Sequence, residues 1–395
     1  MSASMSTPMS TPAPNAAGQE LTGRESTGQT SSVQKSAGMQ ASTPLLQAVD
    51  VTKIFTGGIV NRTETIALDD FSLSIYTDRP SIISVVGESG SGKSTMARML
   101  LGLESPTGGK VLYKGEDLKS LSSREMQDFR REVQAVFQDP FGVYNSFYKV
   151  DHVFNVPIRK FGLAKSKTDA RNLILGVLDA VGLRPQETLG RYPHQLSGGQ
   201  RQRIMVARAL LLNPQLIIAD EPVSMIDASL RAQVLDTLRK LNQERGISLV
   251  YITHDLTTAY QIGSDIIVLY GGKAVELGAV DDVVKAPQHP YTQLLVSSIP
   301  RPDPSLQWSD EPESSAIGQE AKKGVGCNFA DRCPYAFDRC IVETPPLYRI
   351  GEHQAATCFL HAEKPVLPVE KMDHVFVRNV AQLTSAGKET VGPQA

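Results

Sequence analysis

Gly87, Gly92, Lys93 and Ser94 stand in the pattern G-x-x-x-x-G-K-S within VVGESGSGKST, and this is the stretch of the chain best equipped for chemistry. A β-branched run, Ile82 to Val86, precedes it and the helical run MARMLLG follows it. Strand, glycine-rich loop and helix in that order gather backbone N–H groups and a positive helix end around phosphate oxygens. Ser89, Gly90 and Thr95 complete the cradle. Lys93 is spaced to reach the β- and γ-phosphates of a nucleotide, and the Ser94 hydroxyl to ligate Mg²⁺. A chance glycine turn would not come with those flanks.

A second acidic site lies in NPQLIIADEP, an apolar strand ending in Asp220 and Glu221. Such a pair alone is often a helix N-cap. Beside a phosphate loop, Asp220 reads as a holder of the Mg²⁺ shell, and Glu221 as the group that orients or deprotonates attacking water. Just upstream, HQLSGGQRQRIMVARALLLNP opens a helix at Ser197, Gly198 and Gly199, a second bare N-terminus suited to an anion. One chain already owns a phosphate loop. The extra site therefore predicts a head-to-tail dimer in which each chain completes the other's γ-phosphate pocket.

These residues need a scaffold, and the sequence texture predicts one. Runs such as LLQAVDVTKIF, TIALDDFSLSI and SIISVV alternate with helical patterns, as in a mixed α/β core with a parallel sheet later in the domain. Residues 1–43 are rich in Ser, Thr, Ala, Gly, Pro and Gln and are expected to be disordered. The expected order is then an ATP-binding domain over 44–300, a Pro- and charge-rich linker over 301–326 holding Trp308, a Cys-rich region over 327–361, and a tail over 362–395. Lys plus Arg (40) nearly balances Asp plus Glu (42), so no positive field argues for nucleic acid. The apolar runs fall well short of the roughly 18 residues of a spanning helix, and no secretory signal opens the chain. A cytosolic protein is expected, attached to a membrane only through partners.

With LSGGQ in place, the chain resembles the ATP-binding subunits of ABC transporters over about Leu45 to Pro300. The resemblance implies a P-loop ABC-type ATPase core with an antiparallel β subdomain and a helical subdomain. It assigns Gln138 of VFQDP to the Q-loop, Gln200 to the signature, Asp227 of SMIDAS to the D-loop and His254 of YITHD to the γ-phosphate switch. Gln138 would also sense Mg²⁺. Phe55 of VTKIF falls where the family stacks an aromatic on adenine; a core phenylalanine is the plainer alternative. The D-loop reads Ser-Met-Ile-Asp where Ser-Ala-Leu-Asp is commoner, and FGVYNSFYKVDHV departs from the family's usual form where membrane subunits dock.

Pro290, Tyr291 and Thr292, followed by GCNFADRCPYAFDRC, are similar to the oligopeptide/dipeptide importer branch. That branch implies two separate integral membrane permease subunits, a second ATP-binding subunit (a copy or a paralogue) and, indirectly, an extracellular solute-binding protein. It places the chain peripherally on the cytoplasmic face of the cell membrane. Peptides are the expected solute, oligosaccharides the alternative. A soluble ABC ATPase acting on nucleic acid and an exporter ATPase are the rival readings. Cys327, Cys333, Cys340 and Cys358 are the chain's four cysteines, with five, six and seventeen residues between them and no C-x-x-C pair. In a reducing compartment they read as metal ligands. The absent close pair argues against zinc as first choice, and the branch implies a 4Fe–4S cluster in a small Cys-rich C-terminal extension; zinc and unligated thiols stay open.

Overall fold

The computed structural model describes residues 43–57, 63–138, 144–224, 226–299 and 325–376, with only the backbone of Ser229. The expected disordered tail, apart from Thr43, and the linker with Trp308, apart from 325 and 326, lie outside the described residues.

The centre is a run of strands whose sequences are apolar almost without interruption. β3 (Ile82–Val86), β7 (Leu216–Asp220), β8 (Ser248–Thr253) and β9 (Asp265–Tyr270) are buried on both faces, which is why they do not alternate. They pair in parallel, β9-β3-β8-β7, and β6 (Val133–Val136) joins β7 in the same sense. β10 (Lys273–Ala279) turns back antiparallel on β9. A second, antiparallel sheet has the order β2-β1-β4-β5, from β1 (Leu46–Gly57), β2 (Thr63–Ile75), β4 (Gly108–Tyr113) and β5 (Glu116–Asp117). Leu46, Phe71 and Leu73 from this sheet bury against Val85, Leu216 and Ile252 of the other, with Met96 and Leu100 of the helix Lys93–Leu100 between them. That sandwich fixes where the phosphate loop emerges.

Helices Asp151–Lys160, Lys167–Ala180 and Gly198–Leu210 form the helical part. Phe154, Ile174, Leu178, Ile204 and Met205 share a second core with Ile217 and Tyr251 of the sheet. The predicted α/β architecture with antiparallel and helical parts is the one observed.

The C-terminal stretch differs from expectation. β11 (Tyr348–Gly351) and β12 (Gln354–Ala356) do not stand apart; β12 pairs with β10, Glu276 opposite Ala356 and Gly278 opposite Gln354, completing an eight-stranded sheet. Residues 362–376, read from sequence as part of a tail, fold back as well. The 3₁₀ segment Val369–Val375 buries Met372 and Val375 in the main core, and Tyr76 Oη donates to Asp373 Oδ2 at 3.0 Å. The polar residues between Leu367, Met372 and Val375 masked their shared face, because a 3₁₀ turn imposes neither the helical nor the strand period on the pattern.

Candidate functional site

The phosphate loop is built by exclusion of side chains. A Cβ on Gly87 would lie 2.2 Å from the Leu269 carbonyl oxygen, and one on Gly92 would lie 2.3 Å from that of Ala67. Gly92 also sits at φ 103°, just before the helix Lys93–Leu100, where a side chain would be strained. The Lys93 ammonium is buried inside the loop and donates to the carbonyl oxygens of Gly87 and Glu88, both at 2.7 Å, and to Ser91 Oγ at 3.3 Å. Burial lowers its pKa; the nearby Glu221, Asp220 and Glu88 carboxylates oppose that shift. The loop is thus folded around a buried positive charge.

At the end of β7, burial raises the Asp220 pKa, while a hydrogen bond from Ser94 opposes the rise. The two residues assigned to Mg²⁺ are therefore already in contact. Gln138, the third, follows β6 on the neighbouring strand.

Glu221 adopts φ 46°, unusual for a residue with a side chain, and its N–H donates to the Ile252 carbonyl on β8 at 2.8 Å. Strain of this kind persists where the surroundings over-determine it. The result is that Glu221 Oε1 lies 3.0 Å from His254 Nδ1 while Oε2 accepts from Gln138 Nε2 at 3.0 Å. Two residues far apart in sequence thus converge on one carboxylate, on a side chain only 16% exposed.

The remaining predicted residues lie outside that cluster. Ser197 and Gln200 form a capping box on the helix Gly198–Leu210: Ser197 Oγ accepts from the Gln200 N–H, and Gln200 Oε1 from the Ser197 N–H. A Cβ on Gly199 would come within 2.9 Å of Leu230 Cδ1, so glycine lets the next helix, Ala228–Arg245, pack closely. Asp227 is exposed at the start of that helix and its side chain makes no capping bond. Phe55 is 42% exposed on β1, with Lys53 Nζ 4.9 Å from its ring centroid. It pairs with Thr65 on β2, two residues from the Ala67 that touches Gly92. An outward-facing ring next to the loop is not a core phenylalanine. Ser89, Gly90 and Thr95 are in the loop and the first turn after it.

Sequence reasoning missed a set of contacts that ties the C-terminal region to this site. Glu276 is fully buried on β10 and accepts from the N–H groups of Gln288 and His289 and from Gln354 Nε2, at 2.8–2.9 Å. Burial raises its pKa in spite of these donors. His289, kept neutral because burial pushes its pKa down to about 3, accepts the Tyr291 N–H on Nδ1. Tyr291 Oη in turn accepts the N–H of Glu88 in the phosphate loop at 2.9 Å, and Arg332 grips the Glu88 carboxylate with two N–H groups at 3.0 and 3.2 Å. The Pro-Tyr-Thr and Arg-Cys-Pro motifs were visible in the sequence, but nothing in it says that they meet at residue 88.

The four cysteines line one cavity with His289, Phe329, Phe337 and Phe359. Burial pushes the Cys327 thiol up to about 11 and that of Cys358 up to about 12, and raises Cys333. Soft donors in an apolar shell suit a thiolate-held iron–sulfur group. The open space is about 10 Å³, room for one water, so the walls would have to part for a cluster. Among the described residues no group of three or more His, Cys, Asp or Glu side chains, the four cysteines included, is placed to hold a metal ion, which does not bear out the expected cluster. None of the described helices is long and apolar enough to cross a membrane.

Comparison with known proteins agrees with this geometry. The ABC transporter family model matches residues 68–224, and the model described as the oligopeptide/dipeptide transporter, C-terminal region, matches residues 275–340. The chain is 40% identical over 294 residues to the oligopeptide transport ATP-binding protein OppF of Salmonella typhimurium, covering 74% of this chain and 87% of that one. It is 40% identical over 319 residues to the dipeptide transport ATP-binding protein DppF of Escherichia coli, covering 80% and 94%. A dimeric ATP-binding cassette in a post-hydrolysis state bound to ADP and Pi superposes with a TM-score of 0.53 at 31% identity, covering 60% of this chain and 98% of that one.

Proposed function

Since the chain belongs to the ATP-binding subunits of ABC transporters, we propose that it hydrolyses ATP to drive peptide import through separate permease subunits. The observation that carries the reading is the convergence of Gln138 and His254 on Glu221 at the strand end that also bears Asp220. ATP would lie with its adenine on Phe55 and its phosphates against Gly87, Ser89, Gly90, Gly92, Lys93, Ser94 and Thr95. Ser94, Gln138 and Asp220 would hold Mg²⁺, which when bound screens phosphate charge. Glu221 takes a proton from water as its oxygen attacks the γ-phosphorus and the bridging P–O bond to ADP breaks, while His254 supports the γ-phosphate. The partner ATPase, a copy or a paralogue, contributes Ser197, Gly199, Gln200 and Asp227. The similar cassette that is dimeric with ADP and Pi bound supports pairing of two cassettes.

We assign residues 44–300 to the cassette and 327–361 to the Cys-rich region, whose four thiols we propose hold a 4Fe–4S cluster rather than zinc. The cavity that all four cysteines line supports this choice. The chain then works peripherally at the cytoplasmic face of the membrane, with an extracellular solute-binding protein acting indirectly. Purifying the complex from solubilised membranes and reconstituting it tests the reading: peptides should stimulate ATP hydrolysis and be taken up. Stimulation by oligosaccharides alone would overturn the peptide assignment. Absence of ATPase activity in the assembled complex would overturn the enzyme mechanism.

A further inference from the structure

Glu88 follows Gly87 in the phosphate loop, and its carboxylate lies close enough to the buried Lys93 ammonium to act on that charge. Two groups from the C-terminal half hold it. Arg332 forms a two-pronged ion pair with the carboxylate, and its guanidinium lies 5.8 Å from the Tyr270 ring centroid and 5.6 Å from that of Phe329. Tyr291 accepts the Glu88 N–H, and its ring packs with Tyr270 and Phe329 at centroid distances of 4.5 and 5.5 Å. Phe329 and Arg332 come from the same segment as Cys327 and Cys333. The clamp is therefore continuous with the cysteine cavity, which Phe329 also lines.

We propose that Arg332 is a positioning residue for ATP binding, which neutralises Glu88 and holds it off the phosphate path so that the C-terminal region sets the cassette's ATP affinity. This rests on the ATP-site assignment above. The argument is one of charge. Lys93 draws the polyphosphate in, and its ammonium is held by the Glu88 carbonyl. An unpaired Glu88 carboxylate a few atoms away repels the same phosphates. The ion pair is partly exposed, with 46% of the Arg332 side chain and 41% of the Glu88 side chain accessible, so the effect has the size of one screened surface charge.

ATP titration of the purified full chain, with EDTA present to prevent turnover, tests this. Arg332→Ala should weaken binding about threefold to fivefold. The loss should shrink in high salt, which screens exposed charges. Adding Glu88→Gln to Arg332→Ala should restore affinity to near wild type, because the rescue removes the repelling charge without rebuilding the ion pair. In the assembled transporter Arg332→Ala should raise KM more than it lowers kcat. Wild-type affinity in Arg332→Ala overturns the proposal. So does a double variant as weak as the single one, since a purely structural clamp cannot be rescued in this way. Arg332→Gln, which keeps the side-chain stem over the rings, should behave like Arg332→Ala and separates charge from lost packing. Lys93→Ala in the same titration reports on the ATP site itself: if it abolishes binding while Arg332→Ala changes nothing, only the role of Arg332 falls.

Discussion

Replacing Glu221 with Gln changes one oxygen for an amide nitrogen and leaves the side chain's size intact. Its two partners lie 3.0 Å away on opposite oxygens, Gln138 Nε2 as a donor and His254 Nδ1 as a group that can accept. An amide oriented with its oxygen toward Gln138 and its nitrogen toward His254 satisfies both contacts, so the cluster and nucleotide binding should survive. What disappears is the proton acceptor. General-base assistance is worth about 10²–10⁴-fold, and at about 1.36 kcal/mol per decade the barrier should rise by about 2.7–5.4 kcal/mol. Glu221→Asp is the complementary change: it keeps the base but withdraws it by about one C–C bond, ~1.5 Å. Contacts of 3.0 Å then open past hydrogen-bond range, so turnover should also fall. The assay is phosphate release by the assembled transporter at saturating ATP, paired with ATP titration and a measure of dimerisation. Glu221→Gln should bind ATP, accumulate the ATP-bound dimer and release phosphate at 1% of the wild-type rate or less, roughly. Hydrolysis at the wild-type rate would refute the assignment of Glu221 as base.

Ser197→Arg breaks the capping box and fills the start of the helix Gly198–Leu210 without touching the chain's own loop; ATP binding by the monomer should persist while ATP-driven dimerisation and transport are lost, and loss of monomer binding would mean the site acts in cis. Glu276→Gln replaces an accepting carboxylate oxygen with an NH2 that faces a donor, and one unsatisfied buried group costs about 1–3 kcal/mol; a lower denaturation midpoint should record it. Because the folded pKa of Glu276 is raised above 4.5, the folded state holds the extra proton, so its contribution is complete below that value and is lost as pH rises through the folded pKa. The Gln variant should lack that decline, and an unchanged pH profile would remove Glu276 as its source. Protein purified without oxygen should be brown, with iron and sulfide near four per chain under the 4Fe–4S stoichiometry, and Ser in place of any one of the four cysteines should bleach it; colourless protein with stoichiometric zinc would reverse the choice of metal.

Much of the catalytic equipment was legible in the sequence because it is local. A strand, a glycine loop and a helix that follow one another in the chain make a phosphate cradle wherever they fold, and Asp220 and Glu221 end a strand that is readable from its own apolar run. Buried parallel strands such as β8 and β9 announce themselves by composition. The helix start at Ser197, Gly198 and Gly199 is likewise local. What the sequence could not supply were distances between residues far apart along it. The meeting of Gln138, Glu221 and His254 depends on the parallel order β6-β7-β8, which sets three strand ends side by side. The attachment of the C-terminal region involves β12 pairing with β10, and Arg332 stands beside Glu88 where Phe329 packs on Tyr270 and Tyr291. Backbone hydrogen bonds and charge pairs of that kind carry no periodic trace in the chain, since a sheet edge accepts any strand of the right register. The residues assigned to ATP chemistry were thus legible in the sequence itself, whereas the contact between the Cys-rich region and the phosphate loop was decided by tertiary structure.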